Sequence, residues 1–242
     1  MKYWLIGVLF LMTVGILVVG KLEWDEKISG IELEAKRVSA VAEAKSKSAT
    51  SLPSPSKIKP VKLAILGSAS TPEDQGAWPA LLAQKLKNKA GASLIEVAVK
   101  EIKDKTSDEV VKNKLYKDLI DSKPDILLIE PFLLYDNSKI KMDRRLENLS
   151  HIIRDFKKAN SKIEVIIQPS NPIYGTRYYQ KEEAELQKYA KNEGYTYIDH
   201  WEAWPSADSK KLQSYLTNNY TPNQKGNELW AEYLAEHLLT ES

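Results

Sequence analysis

Residues 218–233 read NNYTPNQKGNELWAEY, and they carry two signals in succession. Asn218 to Asn223 has the Asn, Thr and Pro content of a turn. Beyond it Leu229, Trp230, Tyr233, Leu234 and Leu238 recur at spacings of three and four, the period of a helix with one apolar face. Residues 62–71, KLAILGSAST, hold the complementary pattern: an apolar run that meets Gly67 and a cluster of small hydroxyl residues, a strand passing into a turn. A strand–turn at the front and a turn–helix at the back frame everything between them.

Working outward, short apolar runs alternate with longer segments of helical period. Strands are expected over 61–66, 94–99, 125–129, 163–167 and 195–198. Helices are expected over 78–89, 107–121, 144–158 and 182–193, with the closing helix after Asn223. Such alternation is the pattern of a parallel sheet covered on both faces. The fold class is therefore α/β: a flavodoxin-like three-layer sandwich on a five-stranded parallel sheet, in which ligands gather at the carboxyl ends of the strands.

Ahead of this body, Tyr3 to Val19 is a run of 17 residues with no charge. At ~1.5 Å per residue it covers roughly 26 Å, the short end of what spans a bilayer core. It is also longer than the usual signal-peptide core of about 7–15 residues. The expected organisation is a transmembrane anchor or signal segment at 1–21, a polar stalk and Ser/Pro/Lys linker at 22–60, and one folded domain at 61–242. Lys2 alone precedes the span while Lys21, Lys27, Lys36 and Arg37 follow it, so charge counting does not favour translocation of the domain.

The chain has 35 basic and 33 acidic residues, a formal net charge of +2, which gives no field for nucleic acid. It has no cysteine, so thiolate metal sites and a cysteine nucleophile are excluded. No metal-ligand spacing and no phosphate-cradling glycine loop is present, and no cofactor is expected.

The two framing stretches resemble the first and last sequence blocks of the SGNH/GDSL hydrolases. In that family the first block reads Gly-Asp-Ser after the first strand, and the last reads Asp-x-x-His-Pro-Asn before the final helix. Here Gly67-Ser68-Ala69 and Asn218-Asn219-Tyr220-Thr221-Pro222-Asn223 stand in those places. The resemblance implies an esterase or acyl hydrolase of envelope glycans or lipids, with a serine nucleophile, a histidine base and an oxyanion hole. It also implies an extracytoplasmic domain on the cell surface.

The implied chemistry is displaced position by position. Ala69 stands where the nucleophile belongs, with Ser68 and Ser70 beside it; Ser68 is the candidate substitute, and both serines also suit plain turn-making and helix capping. No glycine follows the second strand. After the third strand, Tyr135 and Asn137 are the candidate oxyanion donors, or Asp136 and Asn137 simply build a turn. Asn218 replaces the aspartate and Thr221 the histidine.

Of the three histidines, His200 ends the fifth strand and is the candidate relocated base. Around the same edge Tyr174, Arg177 and Trp201 are candidate ligand contacts, Trp201 and Trp204 equally suiting a core beneath a loop. Two functions stand open: a membrane-anchored hydrolase with remodelled serine chemistry, and a noncatalytic glycan- or partner-binding scaffold on the same fold.

Overall fold

The computed structural model describes residues 59–240; the expected span at 3–19 and the stalk lie outside the described residues. Five parallel strands form one sheet, β1 (Val61–Gly67), β2 (Ile95–Glu101), β3 (Ile126–Ile129), β4 (Glu164–Ile167) and β5 (Thr196–Tyr197). Their order is β2-β1-β3-β4-β5, in the expected flavodoxin-like sequence. The helices are α1 (Trp78–Ala90), α2 (Ser107–Asn113), α3 (Lys117–Asp121), α4 (Leu133–Asp136), α5 (Met142–Ala159), α6 (Arg177–Glu193) and α7 (Gln224–Thr240). Two 3-10 segments, His200–Ala203 and Lys210–Tyr215, connect β5 to α7.

Successive strand residues point to opposite faces, so the apolar runs supply two cores at once. Ala64, Leu66, Leu127, Ile129, Val165 and Ile167 face α2, α3, α5 and α6 and pack with Val110, Leu119, Ile152, Phe156 and Leu186. Leu63, Ile65, Leu128 and Ile166 face the other way, onto Trp78, Leu82, Trp230, Leu234 and the 3-10 segments. Among the described residues no helix is long and apolar enough to cross a membrane.

The expected helix over 107–121 is broken. Lys114 adopts the left-handed conformation (φ 49°) and ends α2. Tyr116 beyond the break is fully buried, its ring stacked on Phe156 and its hydroxyl donating to Asp155 Oδ2 at 3.0 Å. Burying that ring outweighs the hydrogen bonds an unbroken helix would keep. Thr106 opens α2 with a reciprocal capping box to Glu109.

Candidate functional site

The turn after β1 is organised by one carboxylate. Glu130, directly after β3, is fully buried. Its Oε2 accepts from the Ser68 backbone N–H (2.7 Å), the Ser68 hydroxyl (2.8 Å) and the Thr71 hydroxyl (3.3 Å), while its Oε1 accepts from the Ser170 hydroxyl. Burial pushes the Glu130 carboxyl above its ordinary value, and the hydroxyl and amide donors oppose that shift. Gly67 is required here by space: a Cβ would press into the Thr71 side chain and stand 2.8 Å from Glu130 Oε2.

Beneath the edge, four indoles hold the loops. The Trp78 N–H donates to the Ser70 carbonyl (2.8 Å), Trp201 to the Ser170 carbonyl (2.7 Å), Trp230 to Gln168 Oε1 (2.9 Å) and Trp204 to His200 Nδ1 (3.1 Å). Trp78 and Trp230 stack at 4.6 Å between centroids, and His200 stacks on Trp230 at 4.0 Å.

This arrangement defines His200. Because Trp204 can only donate, His200 Nδ1 is an acceptor, so the ring proton sits on Nε2 and is given to the Pro169 carbonyl at 2.9 Å. Burial drives the imidazole pKa down to about 3, leaving the ring neutral. Both nitrogens are spent, neither on Ser68 nor on Ser70. His200 is a core residue here, and the expectation of a relocated base at this position finds no geometry to serve it.

The open space lies elsewhere on the same edge. A cavity of about 310 Å³ is lined by Ser68, Ala69, Ser70, Ile102, Asp104, Leu134, Tyr135, Asn137, Asn171, Ile173, Asn219, Tyr220 and Thr221. It draws on the loops after the first four strands and on the segment before α7, at the point where the order turns from β2 to β3 about β1. Ser68, Ser70, Tyr135, Asn137 and Thr221 are thus brought together as expected. The remaining candidates are not among its lining residues. Asn218 is exposed in the neighbouring turn, Tyr174 packs on the second core, and Arg177 is exposed at the start of α6. Trp201 packs edge-on against Tyr179 and borders a separate depression with Glu183, Asp199 and Glu202.

The segment before α7 divides in two. Asn223 Oδ1 accepts from the Gly226 N–H (3.1 Å) and caps the helix, and its Nδ2 donates to the Ser214 carbonyl (3.0 Å). At Gly226 a Cβ would collide with the Tyr215 carbonyl and stand 2.9 Å from the Trp204 ring. Pro222, Asn223 and Gly226 therefore hold the helix in place. Residues 218–221 close a turn that lines the cavity, with the Thr217 N–H donating to the Thr221 carbonyl (2.8 Å) and the two threonine hydroxyls paired.

No protein-family model and no curated protein sequence matches the chain. Solved structures do. A protein from Desulfitobacterium hafniense DCB-2 assigned to the lipolytic G-D-S-L family is 24% identical, with TM-score 0.58 over 73% of this chain and 98% of its own. A GDSL-like lipase from Bacteroides thetaiotaomicron VPI-5482 is 16% identical, with TM-score 0.57 over 82% and 96%. A carbohydrate esterase family 3 protein from Talaromyces cellulolyticus is 14% identical, with TM-score 0.59 over 75% and 97%. The fold is that of the SGNH/GDSL hydrolases.

Ala69 is exposed and Thr221 half-buried, and both line this cavity. The two framing blocks do meet in space. Sequence reasoning missed Glu130, Asp104, Asn171, Asn219 and Tyr220. Glu130 had a visible signal, a carboxylate closing the apolar run ILLIE. Among the described residues no group of three or more His, Cys, Asp or Glu is placed to hold a metal.

Proposed function

We propose that the chain is a divergent member of the SGNH/GDSL hydrolase superfamily whose cleft binds an acylated glycan or lipid without a serine–histidine relay. The observation that carries this reading is the cavity of about 310 Å³, which brings together Ala69 and Thr221, the residues that the resemblance sets at the nucleophile and histidine places. A methyl cannot attack an ester, and a threonine does not shuttle protons near neutral pH. The Ser68 hydroxyl accepts from the Ser70 N–H and donates to Glu130, and the Ser68 N–H that would steady an oxyanion is bound to the same carboxylate. Names among the structural neighbours, a carbohydrate esterase and a GDSL-like lipase, support an acylated ligand. The proposal includes anchoring through residues 3–19, with the domain on the extracytoplasmic side.

The test uses the full chain with a chromogenic acetate ester, a fluorophosphonate serine probe and acetylated xylo-oligosaccharides. Saturable binding is expected, without turnover and without labelling, and Ala69→Trp, which fills the cavity, abolishes it. Labelling that disappears in Ser68→Ala overturns the reading in favour of an active esterase.

A further inference from the structure

The mouth of the cleft contains backbone strain that packing does not require. Among the described residues five non-glycines adopt positive φ: Asp104, Lys114, Lys123, Ser138 and Tyr220. Lys114 and Lys123 lie at the ends of α2 and α3, where left-handed residues ordinarily terminate helices. Asp104 (φ 55°) and Tyr220 (φ 62°) terminate nothing, and both line the cavity. A left-handed tyrosine is the less tolerable of the two, since its side chain cannot satisfy the local backbone as an aspartate can.

Neither side chain is used by the fold. Tyr220 is 60% exposed, and its ring and hydroxyl make no hydrogen bond or ring contact among the described residues. Its backbone, by contrast, is fixed: the Tyr220 carbonyl accepts from Asn171 Nδ2 at 2.8 Å, and its N–H donates to the Thr217 carbonyl at 3.1 Å. Asp104 is exposed, and its side chain makes no ion pair or hydrogen bond among the described residues. A rigidly held aromatic face thus stands with an open carboxylate at a cavity that the amides of Asn137 and Asn219 also line.

We infer that this mouth is a sugar-binding subsite, the Tyr220 ring stacking on a pyranose face and the Asp104 carboxylate accepting its hydroxyl protons. The inference rests on the cleft reading and narrows its ligand from glycan or lipid to glycan. Asp104 is the one charged side chain lining the cavity, and Lys139, the cation beside it, has its Nζ engaged 3.3 Å over the Tyr135 ring, so at the mouth an anionic headgroup meets a carboxylate first. An acyl chain would pack on Ile102, Leu134 and Ile173, but it leaves the carboxylate and the two amides without replacement for the water they lose. A neutral sugar offers an apolar ring face and hydroxyl donors together.

Binding is measured on the full chain in a detergent without a sugar headgroup, with acetylated xylo-oligosaccharide as the glycan probe and dioctanoylglycerol as the lipid probe. Tyr220→Gly relieves the left-handed strain, so it raises Tm while weakening the oligosaccharide by about tenfold. Tyr220→Phe retains affinity, and Asp104→Asn, whose side chain tolerates the same backbone, weakens it. Oligosaccharide affinity unchanged in Tyr220→Gly overturns the inference. Dioctanoylglycerol binding that Ala69→Trp abolishes and Tyr220→Gly leaves intact also overturns it, while the cleft reading survives. If Ala69→Trp alters neither probe's binding, the cleft reading itself falls.

Discussion

Ser68 and Asn219 line the same cavity, yet the first has its hydroxyl and its amide hydrogen held by Glu130, while the second offers its side chain to solvent. The contrast extends to their neighbours. On the floor, Ser68, Thr71 and Ser170 all turn their hydroxyls to one buried carboxylate, and two indoles, Trp78 and Trp201, donate to the Ser70 and Ser170 carbonyls. On the rim, Asp104, Asn137, Asn219 and Tyr220 are exposed. Polar groups that satisfy one another build structure, and polar groups left open remain for a ligand. In this cleft the residues nearest the fold's chemical centre belong to the first kind.

That contrast is open to attack first through the floor. Trp230→Ala removes the stacks on Trp78 and His200 and the donor to Gln168, and is expected to cost about 3–5 kcal/mol in urea denaturation. A cost under about 1 kcal/mol would show that the indoles do not hold the loops. Glu130 tests the same region through pH. Its folded-state pKa lies above that of the unfolded chain, so the native state holds the proton more tightly. The resulting stability is complete below the ordinary carboxylate value and is lost as pH rises through the raised one. Relative to Glu130→Gln, the wild type should therefore lose stability as pH rises from below the ordinary carboxylate range towards neutrality and beyond. Urea midpoints that keep a constant gap across that range would refute it.

Smaller effects sharpen the boundary. Asn223→Ala strips the cap from α7 and is expected to cost about 1 kcal/mol. Asn219→Ala, four residues earlier on the rim, should fall within about 0.5 kcal/mol of the wild type. Equal losses at the two positions would erase the distinction between a scaffold half and an open half of this segment.

How far the sequence could be read follows the range of each interaction. The strands and the closing helix were legible because alternation and helical period are written locally. Pro222, Asn223 and Gly226 stood out as a group because they act within a few residues of each other or of one neighbouring turn. Glu130 was not legible as an organiser, since its donors at Ser68, Thr71 and Ser170 come from loops 40 to 62 residues away. His200 was misjudged because its surroundings, Trp204 at one nitrogen, Pro169 at the other and Trp230 across the ring, appear only after the sheet is assembled. The break at Lys114 has the same origin, as Tyr116 answers to Phe156 across the layer rather than to its own helix.

The indole pair that joins α1 to α7 also sets an order of events during synthesis. Trp78 meets Trp230, and the Trp78 backbone N–H donates to Asn227 Oδ1 across 149 residues of chain. Leu63, Ile65 and Leu128 are made long before α7 emerges from the ribosome to complete their cover. Until then α1 alone of the two helices can cover that face of the nascent sheet, so a chaperone that shields the rest, or a pause before α7, is expected to affect the yield of folded protein.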